Sequence, residues 1–147
     1  MKPGIAAVFS ILIIAAVILS APGCSGDSVD QEYIDFANTV SEEYLVSINE
    51  KDYQAFSRHL GKEMMEELPE DGFLEFAGQL EGIIGKYVEG SRDFSGVEKQ
   101  SGFISIIYDT DYTSEPEGVI FTLVLQKVEG EIKISGSWFN SAKLRGE

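Results

Sequence analysis

Basic residues are scarce in this chain. Eleven Lys and Arg stand against twenty-five Asp and Glu over 147 residues, a formal net charge of −14. That balance excludes a nucleic-acid partner, since phosphates would be repelled, and it argues against docking onto anionic lipid. Cysteine is scarcer still. Cys24 is the only one, so no intrachain disulfide can form and the fold must be held by its core. The only histidine is His59; with Glu63 four residues on it makes an incomplete zinc set. Neither an internal repeat nor a low-complexity stretch occurs beyond the first two dozen residues.

What is present begins with an apolar run. After Met1-Lys2-Pro3-Gly4, with one positive charge, Ile5 to Leu19 is apolar except for Ser10. Small residues Ser20-Ala21-Pro22-Gly23 lead to Cys24, and polar Ser25-Gly26-Asp27-Ser28 follows. A basic start, an apolar stretch too short to span a bilayer comfortably and a small-residue cleavage site are the parts of a secretory signal. Gly23-Cys24 resembles the lipobox of prokaryotic lipoproteins, which implies cleavage of residues 1–23 and a lipid anchor on Cys24. Ala21 holds the place where that pattern prefers Leu, and an uncleaved transmembrane anchor is the rival reading. Either anchor leaves the rest of the chain on the outer, extracytoplasmic face, because Lys2 stays inside. Without Lys2 the mature part is one unit more negative than the whole chain.

Residues 24–30 read as a short tether, 31–142 as one domain, and 143–147 as a C-terminal tail. Tyr33, Phe36, Ala37, Val40, Tyr44 and Ile48 recur at helical spacing up to a turn at Asn49-Glu50-Lys51-Asp52. A shorter helix carries Tyr53, Phe56 and Leu60; Gly61 interrupts it, and Met64, Met65 and Leu68 continue an apolar stripe. Pro69 opens a third helix with Phe73, Phe76, Ala77, Leu80 and Ile84, ended by Gly85. Beyond it the period drops to two. A weak strand region spans 86–98. Ile104, Ile106, Tyr108, Thr110 and Tyr112 share one face of the next strand, opposite Asp109 and Asp111. A loop is expected at 113–118. Val119, Phe121, Leu123 and Leu125 line the following strand, Glu129-Gly130 makes a hairpin turn, and Ile132, Ile134 and Trp138 share a face of the last, with Gly136 permitting a bulge. The fold class is therefore α+β, three N-terminal helices packed on a curved antiparallel sheet of about four strands.

Three stretches, Asn49 to Ser57, Met64 to Phe73 and Leu80 to Tyr87, with the closing Gly136-Ser137-Trp138-Phe139-Asn140-Ser141, resemble the domain of unknown function 3887 family. The resemblance implies the nuclear transport factor 2-like superfamily, a cone of helices on a curved sheet, and frequent secretion or lipid anchoring. It supplies no catalytic residues, and fold analogy licenses no reaction.

The residues themselves name no catalyst. His59 sits off the apolar stripe of its helix and reads as a surface residue. Asp109 to Ser114 starts like a calcium loop, but Ser114 stands where the glycine belongs and Ile120 where the bidentate Glu belongs. Cys24 lies outside the domain, and no serine is placed beside a base. No metal and no cofactor is expected. Tyr33, Tyr108, Phe121 and Trp138 are the candidates to line a cavity in the cone, with core packing as the competing role. The expected function is a non-enzymatic, membrane-tethered module that binds a small ligand or a protein. The alternative is an isomerase- or dehydratase-like enzyme with a carboxylate base in the cone. A homodimer through the outer sheet face is a third arrangement.

Overall fold

The computed structural model describes residues 27–147; the expected signal and Cys24 lie outside the described residues. Four helices precede four strands: α1 (Asp27–Glu50), α2 (Tyr53–Ser57), α3 (Lys62–Glu67), α4 (Glu70–Ile84), β1 (Asp93–Gln100), β2 (Phe103–Tyr112), β3 (Glu115–Val128) and β4 (Glu131–Asn140). The strands form one antiparallel meander in the order β1-β2-β3-β4, with the helices packed on one face. The α+β reading holds, with four helices in place of three. Gly61 does more than interrupt. Its N–H donates to Ile134 O at 2.8 Å while Ile134 N donates to His59 O at 2.8 Å, so the chain leaves the helix between α2 and α3 to pair with the β4 edge. Among the described residues no helix is long and apolar enough to cross a membrane.

Local chemistry sets the boundaries. Asp52 caps α2 through a hydrogen bond from Ala55 N at 3.1 Å. Gly85 ends α4 at φ 82°, and a Cβ there would collide with Thr113 Oγ1 and Ser114. α1 starts at Asp27, so the end of the expected 24–30 tether is helical. The expected 113–118 loop is mostly strand. β3 begins at Glu115, and the irregularity shrinks to a register shift opposite Thr110 and Tyr112 with Gly118 at φ 82°. Residues 143–147 are folded rather than a free tail. Glu115, buried at the end of the sheet, accepts from Lys143 N at 2.9 Å, and Leu144 packs against the core.

Between helices and sheet lies a column of rings. Phe73 meets Phe56 at 4.3 Å, Phe56 meets Tyr44 at 4.7 Å, and Tyr44 lies 5.9 Å from Phe121. Phe121 then contacts Phe139 at 5.1 Å and Tyr108 at 6.3 Å. Helical spacing on α1 and α4 and the two-residue period of β2 and β3 deliver these rings to one interior. Two phenols place their hydroxyls at its margin, Tyr44 on Ser137 Oγ at 2.7 Å and Tyr108 on Asn38 Oδ1 at 2.7 Å. The buried Tyr44 and Tyr112 phenols are pushed far above the usual range by desolvation.

Phe121→Ala removes the ring on which three others rest, and should lower stability by about 3–5 kcal/mol in urea unfolding. Glu115 has a second consequence. The Lys143 backbone N–H holds its carboxyl below the usual carboxylate value of 4.5. A depressed folded pKa means that stability from this group is complete above pH 4.5 and is lost as pH falls through the lower folded value. Glu115→Gln should therefore flatten the acid limb of a stability–pH profile and leave its slope above pH 6 unchanged.

Candidate functional site

Of the four residues expected to line a cavity, Tyr33, Tyr108 and Phe121 are buried, and Tyr108 and Phe121 belong to the ring column. Tyr108 and Phe121 are in ring contact with each other, and Tyr33 belongs to the same buried core. Trp138 is elsewhere. β4 is in register with β3 from Glu131 to Ile134, with Ile134 opposite Leu125; the next pair is Gly136 with Val124, leaving Ser135 unpaired. One extra residue inverts the alternation. Ser137 and Phe139 now point inward, and Trp138 points out from the sheet, 44% exposed. The expected common face of Ile132, Ile134 and Trp138 is thus corrected by the bulge.

The outer face that results is unusual in having an apolar centre. Ile107 on β2, Thr122 and Val124 on β3 and Trp138 on β4 stand on adjacent rows, with Ile120 one pleat away and 45% exposed. Gly136 makes room for the indole: a Cβ there would lie 2.9 Å from Trp138 Cζ3. The ring therefore lies against the sheet across a glycine.

Charges frame this face on one side and at one end. Asp93 and Glu98 come from β1, Asp109 and Asp111 from β2. At the end of the face is a groove of ≈ 390 Å³ bounded by Asp109, Asp111, Glu117, Ile120, Asn140 and Arg145. Arg145 donates to Asn140 Oδ1 at 2.8 Å and pairs with Glu147 at 2.9 Å. The carboxylates of Asp109, Asp111 and Glu117 take no hydrogen bond and no salt bridge among the described residues. The solvated strand end expected for Asp109 and Asp111 is where they lie.

Among the described residues the buried side-chain polar atom without a hydrogen-bond partner is Ser41 Oγ, a hydroxyl and not a carboxylate. Glu42 on α1 accepts from the Tyr87 phenol at 2.8 Å, Gly90 N at 2.7 Å and Arg92 Nε at 3.1 Å, while Arg92 also lies 5.5 Å from the Tyr108 ring centre. Burial and Glu42 push the Tyr87 phenol up to about 12. This cluster fastens the 85–92 connection onto α1. Glu115 is buried but held low, the opposite of the upward tuning a cavity base needs. His59 is half-buried rather than free on the surface. It stands edge-on to Phe36 at 5.8 Å, and desolvation lowers its pKa. The Trp138 face was missed because its signal, a bulge, is visible only as Gly136.

No protein-family model and no curated protein matches the chain, so the resemblance to the domain of unknown function 3887 family rests on the residue pattern alone. Among solved structures it is similar to a variant of a chain called Rd1NTF2_05, at 12% identity and TM-score 0.48 over 74% of this chain and 99% of that one. It is also similar to an NTF2-like protein of unknown function from Shewanella baltica OS155, at 14% identity and TM-score 0.49 over 76% and 94%. At those scores the likeness carries no functional weight.

Trp138 is the only tryptophan, so intrinsic fluorescence reports on this face directly. Caesium should quench it more efficiently than iodide, and the difference should shrink near 0.5 M salt as the Debye length falls toward about 4 Å. Gly136→Ala should lift the indole and shift its emission to the red. Equal quenching by the two ions would show that the carboxylates do not shape the field at the ring.

Proposed function

We propose that this protein is a non-enzymatic interaction module, tethered outside the cell membrane through Cys24, that docks a protein on the outer face of its sheet. The observation that carries the reading is Trp138, turned out by the β4 bulge and laid over Gly136 in an apolar patch. Exposed aromatic anchors of this kind concentrate binding energy in protein interfaces. The filled interior supports the same reading, because a small ligand in the cone would have to displace packed rings. Among the described residues, the buried carboxylate Glu115 and the partly buried Glu42, Glu43 and Glu81 are all engaged in hydrogen bonds or ion pairs, which weighs against the isomerase-like alternative.

The fold agrees with a tether at the start of α1. Glu32 on the first turns of α1 pairs with Lys127 at 3.1 Å beside the β3–β4 turn. Asn49 near its end bonds Tyr87, which bridges to Tyr112 at the other end of the sheet. A 24-residue helix is about 36 Å long. A lipid on Cys24 would hold the first end at the membrane and present the groove at the far end.

A photo-crosslinking residue at position 138, expressed in the native host, should give a discrete protein adduct. The same residue at Glu66 on α3 should not. Equal adducts at both positions, or a small molecule retained by the purified protein in native mass spectrometry, would overturn the reading. Mass spectrometry of the mature N-terminus should find a lipid-modified Cys24, and an intact Met1 would remove the lipid tether.

A further inference from the structure

The outer face has an apolar centre and a one-sided charge, and together they describe its occupant. Resting on the docking reading above, we infer that the partner is a protein segment that lays an aliphatic or aromatic side chain on Trp138 and Ile120 and sets an arginine or lysine into the adjoining groove. The spacing fits one short segment. Trp138 and Asn140 are two residues apart on the same face of β4, about 7 Å, and Asn140 borders the groove with Ile120. An extended strand or one helical turn places an apolar and a basic side chain at that separation.

Charge complementarity excludes the other occupants. Among the described residues the carboxylates of Asp109, Asp111 and Glu117 take no hydrogen bond and no salt bridge, and Asp93 and Glu98 extend the same sign along β1. Lys133 is paired with Glu131, and Arg145, which lines the groove, is paired with Glu147 and lies in the field of Glu117 and Glu115, so the carboxylates around it outnumber its single charge. A second copy would bring its own carboxylates to a patch already framed by them, within a molecule of net charge −14, and an anionic membrane would be repelled in the same way. Strand addition at β1 is opposed by the bulge between Phe94 and Gly96 and by the charges of Asp93, Glu98 and Lys99. The exposed sheet face, rather than the edge, is the available surface.

The test uses the purified protein and two eight-residue, tryptophan-free peptides, an Arg–Leu peptide repeating Leu-Ser-Arg-Ser so that Leu and Arg fall two residues apart, and a Glu–Leu peptide with Glu in place of Arg, with Trp138 emission as the readout. The Arg–Leu peptide should shift the emission to the blue, and the Glu–Leu peptide should not. Combined Asp109→Asn, Asp111→Asn and Glu117→Gln should weaken the Arg–Leu peptide about tenfold. Neutralising Glu63, Glu66 and Glu67 on α3 to Gln, the same change in net charge, should weaken it less than about twofold. Equal losses from the two triple variants, or equal binding of the two peptides, would overturn the charge assignment while leaving the position-138 adduct and the docking reading intact. A concentration-dependent dimer in sedimentation that protects Trp138 from quenching would replace the cationic partner with a second copy.

Discussion

The packing of aromatic rings on the concave side of the sheet is the constraint that organises the molecule. Phe73, Phe56, Tyr44, Phe121, Tyr108 and Phe139 form a continuous set of ring contacts between α4 and strands β2, β3 and β4. Aromatic side chains combine large buried area with fixed shape, so a chain without disulfides can hold a curved sheet against its helices. The polar tips of Tyr44 and Tyr108 find partners at the margin, which lets phenols serve as core residues. A small ligand entering between these rings would have to displace them.

What the interior gives up, the exterior supplies. One unpaired residue in β4 divides that strand into two halves of opposite phase. Its first half sends Ile134 into the core, and its second sends Phe139 in and Trp138 out. The same bulge that closes the ring column with Phe139 therefore creates the exposed aromatic surface. Gly136 is the pivot of both, since it tolerates the irregular pairing and leaves the sheet flat beneath the indole. Fold stability and the docking face share one local device.

Much of this was legible in residues and some was not. The stripes on α1 and α4 predicted Tyr33, Ala37, Val40, Tyr44, Phe73, Ala77 and Ile84 as buried, because helical periodicity is a local property. The inward face of β2 was legible for the same reason, as was the outward position of Asp109 and Asp111. The face of Trp138 was not, because a bulge adds one residue to a two-residue period and its placement depends on the partner strand. The division of the second helix at Gly61 was half legible: a glycine marks a break, but only the β4 edge explains why the chain pairs there. Glu115 was missed because its role depends on Lys143, 28 residues away.

Methyl NMR under xenon pressure addresses the central claim most directly, since xenon enters empty apolar cavities without needing chemical complementarity. A filled cone predicts that the methyl resonances of Ile106, Leu123 and Leu125 stay fixed as xenon is added. Saturable shifts confined to those interior methyls would reveal a hollow cone and return the functional site to its inside.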